Sequence, residues 1–431
     1  MNTFKICLGM GLFFLTISLT SCLEDKCDET QTFIQYEAVY KQYDEIRVPI
    51  KTSASKSLKI PGKMYFYENY IFINEIREGV HIIDNEDPSN PVNVGFIEIP
   101  GNVDIAIRNG IMYADNYMDV LSIDVQNPLD ARLVERMEDI YVNEFWFDEN
   151  RGVFVYYAEK DVSVEVDCSD PRFGQGIFNG DDRNTVWINE VDDFGPQSDV
   201  GGTAGGDTAN VGTGGSFARF TISKDHLYMV DDFSLYTFKI SDNGHLDYIS
   251  DFYIGWQVET IFPNGEHLFM GTQSGMLIYS IEQASEPFFV SEFTHAQACD
   301  PVFVDGNKAY VTLRNGTACQ NFTNQLDVVD ITDLYNPTLI VSHEMQNPHG
   351  LSKRASTLYL CEGKHGLKVF DATEDNEIDE NQLEHIKDFF AYDVISLSDE
   401  HILVIGDDGL YQFDTTDKSD LETISFIAIE R

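Results

Sequence analysis

Apolar residues fall in short alternating runs along most of this chain, and the runs themselves recur. From Gly62 onward one phrase returns about every forty residues, the period of a repeat architecture. A polar residue opens an apolar run, a turn follows, a second run carries an aromatic, and a third ends in Asp, often with Pro close behind. Asp104-Ile-Ala-Ile-Arg-Asn-Gly-Ile-Met-Tyr, with Val120-Leu-Ser-Ile-Asp124 and Asn127-Pro128, can be laid over Asp300-Pro-Val-Phe-Val-Asp-Gly-Asn-Lys-Ala-Tyr, with Leu326-Asp-Val-Val-Asp330 and Asn336-Pro337. Period-two runs rich in Val, Ile, Tyr and Phe predict half-buried strands. Asn109-Gly110, Asn264-Gly265, Asp305-Gly306, Asp408-Gly409, Asp87-Pro88 and Asn90-Pro91 mark the turns between them.

Four strands per unit, joined by short hairpins, make one blade, and a blade must stack on others around an axis to bury both its faces. Eight units are legible, at about residues 62–100, 101–139, 140–215, 216–255, 256–295, 296–345, 346–390 and 391–431. The expected fold is therefore all-β, a β-propeller of eight four-stranded blades. Seven is the alternative, should the irregular third unit not complete a blade. Long amphipathic helical patterns are absent, which excludes a helical solenoid, and a β-helix would need shorter rungs.

Two segments break the pattern. Residues 22–61, between a leader at 1–21 and the propeller at 62–431, hold an acidic tether and the run Thr32-Phe-Ile-Gln-Tyr-Glu-Ala-Val-Tyr40, read as a strand or short helix against the propeller. The second is an insertion at about 167–215 in the third unit, with Gly201-Gly-Thr-Ala-Gly-Gly206 and Gly212-Thr-Gly-Gly215. It is too glycine-rich to pack a core, so it reads as a linker or as a functional loop at a binding face. Neither glycine run ends in Lys-Ser/Thr or joins a strand to a helix, which excludes a phosphate loop.

The leader gives an address. Lys5 supplies a positive charge, residues 6–19 are apolar, and Leu19-Thr20-Ser21-Cys22 places small residues before a cysteine. This looks like a bacterial lipoprotein signal, with Cys22 lipidated as the mature N-terminus. The apolar stretch is shorter than the roughly 20 residues a membrane span needs. Leu23-Glu-Asp-Lys-Cys-Asp-Glu29 resembles export signals of surface lipoproteins, so the expected site is the outer membrane, facing periplasm or exterior.

Charge narrows the partners. Lys and Arg number 28 against 73 Asp and Glu, for a formal net charge of −45, or −46 once Lys5 is lost with the leader. Such a field repels nucleic acid and anionic headgroups and favours neutral or cationic ligands. Nucleic-acid binding is excluded; the expected partners are the membrane, through the lipid, and an envelope protein or glycan.

Of seven cysteines, Cys7 goes with the leader and Cys22 with the lipid. Cys299 precedes one strand and Cys319 follows the next, so an antiparallel return brings the two thiols to one end of a hairpin, where a disulfide is expected. Cys361, in Leu358-Tyr-Leu-Cys361, reads as a buried free thiol. Cys27 and Cys168 stay unassigned.

Gly79-Val-His-Ile-Ile-Asp84-Asn-Glu-Asp-Pro88-Ser-Asn-Pro91, Leu326-Asp-Val-Val-Asp330 and Leu367-Lys-Val-Phe-Asp371 resemble the LVIVD repeat of bacterial and archaeal extracytoplasmic β-propellers. The similarity covers nearly all of residues 62–431, with the third unit the poorest match. It implies a propeller on a lipoprotein or secreted chain, and no general activity. The motif's apolar positions read as sheet filling, and its Asp as an acceptor in the following turn.

Aligning the repeats yields one constellation. Where each innermost strand begins, the units carry Asp104, Glu144, Arg219, Glu259, Asp300, His349 and Asp393, with Lys63 near that place in the first. Innermost strands line a propeller's channel, so these side chains should ring one mouth. Crowded carboxylates repel unless Lys63, Arg219, His349 or a cation compensates; the cation such a ring would take is Ca²⁺ or Mg²⁺. The ring reads either as a site for a cation or hydroxyl-rich ligand, or as a network tying blade to blade. No Gly-x-Ser-x-Gly elbow, His-Glu-x-x-His helix or EF-hand spacing occurs. Three function classes stay open: a binding or scaffolding module, a metal-assisted hydrolase or lyase at the channel mouth, and a structural subunit of an envelope assembly.

Overall fold

A computed structural model describes residues 28–141, 145–167, 177–179, 185–189, 211–214, 216, 218–255, 258–272, 274–294, 301–314 and 324–430. Cys22, Cys27, Glu144, Cys168, Cys299, Asp300 and Cys319 lie outside the described residues, as does most of the glycine-rich insertion. The protein is all-β, and the only α-helix among the described residues, Tyr43–Ile46, is a single turn.

Among the described residues there are eight sheets, matching the number of repeats. Seven are blades built from four consecutive antiparallel strands, at residues 61–98, 105–137, 220–253, 258–294, 302–344, 351–386 and 391–428, here called blades one to seven. The third repeat and the N-terminal run together supply the remaining sheet, in the order Phe147–Asp148, Gly152–Asp167, Asp28–Lys41, Thr185–Asn189, Ile177–Asn179. The N-terminal run is thus a strand of this sheet. The chain divides into two compact units, one of Met1–Val39 with Tyr156–Val191 and one of Tyr40–Val155 with Asp192–Arg431. In the first, Phe33 to Glu37 pair antiparallel with Asn189 to Thr185, and Ile177 to Asn179 add on the far side.

The second unit holds the seven blades, and they close on themselves. Ile107, Met112 and Tyr113 of blade two share one core with Phe72 and Ile82 of blade one and with Phe220, Leu227 and Met229 of blade three. Ile395, Leu403 and Ile405 of blade seven pack on Met64, Ile71 and Ile73 of blade one. Eight therefore counts the sheets, and the alternative of seven counts the blades that follow one another around this axis.

Two devices recur in all seven blades and a third in five of them. The third residue of each blade's second strand is a large buried side chain: Phe72, Tyr113, Tyr228, Phe269, Tyr310, Tyr359 and Leu403. The pairing of third and fourth strands slips by one residue in every blade, leaving an extra apolar residue on the outer strand: Val94, Val134, Ile249, Val290, Ile340, Leu383 and Ile424. A bulge of this kind bends its strand and increases local twist, as the outermost strand of a radial sheet requires. The Asp ending the third strand accepts the N–H two residues on, at 2.7–3.0 Å, at Asp84, Asp124, Asp330, Asp371 and Asp414. The expected role of the motif Asp in its turn is met.

The segment before blade one is a clasp. Thr52 and Ser53 pair with the outer strand of blade one, and buried Leu58 bridges Ile429 just after the last strand, its carbonyl accepting the Glu430 N–H at 2.8 Å. Arg47 fastens it to blade two, meeting both oxygens of fully buried Asp119 at 2.9 and 3.0 Å and also Glu138 and Asp139. Arg136 is the second cation on Asp119, at 2.9 Å. Removing the only partner of a buried charge costs about 3–5 kcal/mol. Because Arg136 remains, Arg47→Ala is expected to lower stability by about 2 kcal/mol, seen as a lower urea midpoint at unchanged slope. No shift would show that the clasp does not hold the ring.

Candidate functional site

The innermost strand of each blade has one edge turned to the axis with no strand of its own blade beside it. Its buried N–H groups still need acceptors. Asp104, at the start of blade two, meets that need for two blades. Its Oδ1 accepts the Ile105 N–H at 2.7 Å, and its Oδ2 accepts the N–H groups of Arg219 and Phe220 in blade three, each at 2.7 Å. The ammonium of Lys63, from blade one, lies 2.7 Å from the same Oδ2. Both side chains are buried, and burial raises the Asp104 carboxyl above its ordinary value although Lys63 and the peptide N–H groups pull it back. One carboxylate ties three blades.

Other carboxylates hold the incoming connections. Asp115 accepts the Val103 and Asp104 N–H groups at 2.9 Å and the Asn102 amide at 2.8 Å; burial pushes it up to about 6. Glu75 accepts the N–H groups of Lys59 at 3.1 Å and Ile60 at 2.7 Å, and lies 2.9 Å from Nε2 of His81. Burial raises Glu75, but these bonds outweigh it and its carboxyl is lowered. Glu362 accepts the Gln346 and Asn347 N–H groups, each at 2.9 Å. The sequence reading missed this set. Its signal is a carboxylate two or three places after the recurrent large residue: Phe72 then Glu75, Tyr113 then Asp115, Tyr359 then Glu362.

Asp393, fully buried at the start of blade seven, accepts the Ser216 hydroxyl at 3.2 Å and its N–H at 3.4 Å on Oδ1. The Ser216 Oγ in turn accepts the Leu351 N–H of blade six at 2.9 Å. Oδ2 of Asp393 has no hydrogen-bond partner among the described residues. Burial pushes this carboxyl up to about 7, offset in part by the Ser216 bonds and by the charge of Lys63.

The remaining candidates have other roles. His349 is buried, with Nδ1 2.8 Å from the Asn347 carbonyl and its ring against Phe390 and Tyr392. Burial, then the charge of Arg314, holds it well below the usual imidazole range, so it is a neutral core histidine. Arg219 gives its N–H to Asp104 while its guanidinium pairs with Asp232 at 2.9 Å. Glu259 is half-buried on the innermost strand of blade four. Cys361 is a buried free thiol, as read from the sequence. Among the described residues, no three His, Cys, Asp or Glu side chains form a group that could hold a metal ion.

The channel also contains a strand. Thr213 and Gly214, at the end of the insertion, pair antiparallel with Phe66 and Tyr65 of blade one, Val211 bridges Arg108 of blade two, and the Gly212 N–H reaches the Ile107 carbonyl at 3.0 Å. The glycines permit this approach: a Cβ on Gly212 would lie 2.2 Å from the Tyr65 ring and 2.7 Å from the Phe66 oxygen.

Fold and channel together define a β-propeller. No family model matches the sequence, and no curated protein matches it. Among solved structures, the computationally designed Ika8 protein is 9% identical, with a TM-score of 0.48 over 87% of this chain and 91% of that one. Kluyveromyces lactis Hsv2 is 10% identical, with a TM-score of 0.43 over 82% and 94%. A protein from Lactobacillus plantarum is 10% identical, with a TM-score of 0.42 over 93% and 97%. None of these likenesses carries a function to this chain.

Two outcomes check the network. Lys63→Met strands Asp104 without its cation, and stability is expected to fall by about 3 kcal/mol or more. A variant as stable as the parent would remove Lys63 from the network. Asp115 and Asp393 have folded values above their unfolded ones, so their contribution is full below about pH 4 and is lost as pH rises through about 6 for Asp115 and about 7 for Asp393. Asp393→Asn is expected to flatten the decline of melting temperature between pH 5 and pH 8; an unaltered profile would assign the titration elsewhere.

Proposed function

We propose that this chain is a lipid-anchored β-propeller of the bacterial cell envelope that acts as a binding or scaffolding module for a protein or glycan. The observation that carries the reading is the commitment of buried carboxylates to backbone groups: Asp104 to blade three, and Asp115, Glu75 and Glu362 to incoming connections. Groups so engaged hold blades together and are not poised for acid–base chemistry. Function then falls to the outer surfaces.

Those surfaces are acidic and carry exposed aromatics. Phe288 and Phe289 on the outer strand of blade four, and Tyr335 in the turn before that of blade five, are 47%, 51% and 76% exposed. No Lys or Arg occurs in residues 281–294 or 327–344 around them. Aromatic faces in an acidic setting suit a neutral or cationic partner. The lipobox at Cys22 and the resemblance to LVIVD propellers support the envelope address.

The test uses the full chain in a Gram-negative host. Wild type is expected to incorporate a palmitate analogue at Cys22, to pellet with membranes, and to bring a protein or glycan with it on gentle solubilisation; Cys22→Ala is expected to lose label and membrane together. A labelled Cys22→Ala protein would overturn the anchor. Wild type recovered repeatedly without any companion would overturn the binding reading.

A further inference from the structure

The channel segment at residues 211–214, with Ser216, behaves as a bound ligand that happens to be covalently attached. Its recognition is through the backbone: it meets the free edges of blades one and two by strand pairing, and Ser216 takes the Leu351 N–H of blade six. This is strand addition to an exposed sheet edge, in which main-chain bonds give affinity and the space for side chains gives selectivity. The selectivity here is against side chains, since Gly212 is pressed against Tyr65 and the Phe66 carbonyl.

The segment is also lightly held. Its regular pairing is two residues long, and Val211 is its one apolar side chain, packed at the edge of the blade one–two core. Two small recesses lie against it, one beside Lys63 and Phe220, the other beside Ser352 and Ser396. Its side-chain anchor is Ser216, which bonds Asp393 as well as Leu351, and the second oxygen of Asp393 has no hydrogen-bond partner among the described residues.

We infer that the channel edges of blades one and two form a binding site for an extended, glycine-containing peptide strand, occupied in cis by residues 211–214 of this chain, with Ser216 as its anchor. Attachment gives the built-in strand a high effective concentration, so it excludes a free competitor until it is displaced. The segment is then an internal competitor that sets when the channel can take a strand from another molecule. This holds whether or not the anchor and the outer-surface partner proposed above are right.

The probe is a fluorescein-labelled peptide, Val-Gly-Thr-Gly-Gly-Ser, with Val-Ala-Thr-Gly-Gly-Ser as control, added to the full-length protein and followed by anisotropy. Gly212→Val should expel the built-in strand and bind the probe at least about tenfold more tightly than wild type does, and the control peptide at least about tenfold more weakly than the probe. A folded Gly212→Val protein that ignores the probe, or binds both peptides alike, overturns the inference. Should that variant fail to fold, Ser216→Ala decides. Faster amide exchange at Gly212 and Leu351 together with probe binding supports the site; exchange as in wild type, or no probe binding, overturns it.

Discussion

The structure depends on what happens to backbone N–H groups at the inner edges of the blades. A radial sheet has an edge at the axis, and that edge is buried too deeply for water to satisfy it freely and too narrow for another full blade to pair with it. An unpaired buried N–H costs about as much as a lost hydrogen bond. Here the acceptors come from the neighbouring blades and from the chain threaded through the channel. Asp104 serves Arg219 and Phe220, Ser216 serves Leu351, and the Ala218 carbonyl serves the Ile261 N–H at 2.6 Å. Blade order and channel chemistry are therefore one problem with one solution.

That solution needs carboxylates, and carboxylates in a crowded axis need positive charge. The protein carries few cations for its acids, 28 against 73, and places several of them deliberately. Lys63 sits against Asp104 and lowers the cost of ionising Asp393 as well. Arg47 and Arg136 converge on Asp119. The surplus acids lie mostly on the surface, where solvent and salt screen them. Turn aspartates such as Asp330 and Asp414 are half-buried, and side-chain bonds from Thr332 and Thr416 lead in lowering their carboxyls.

The channel strand and the clasp show how the irregular parts of the chain complete the regular ones. Both are short, both pair with blade one, and both meet blade seven: the clasp through Leu58 and Ile429, the channel strand through Ser216 and Asp393. Blade one is where the ring closes. Its first and last blades share no swapped strand, so the junction relies on these outside segments and on the Ile71, Ile73, Ile395 and Leu403 core.

Much of this was written in local sequence. Period-two runs and Asx-Gly turns specify strands and hairpins within a few residues, and a fixed repeat leaves one way to bury them. The motif Asp acts on a neighbour two residues away, so its role at Asp84, Asp330 and Asp371 is legible without tertiary structure. The channel ring was legible only in part. Sequence register places Asp104 and Asp393 at the axis, but their partners, Arg219 and Ser216, are 115 and 177 residues away. The bulges at Val94, Ile340 and Ile424 also escape a period-two reading, because a slip is defined against a partner strand. Above all, the run Gly212-Thr-Gly-Gly215 reads locally as a linker, since glycine has no side chain to pack. Only the assembled channel, where Tyr65 leaves no room for a Cβ, turns that lack of a side chain into the reason the strand fits.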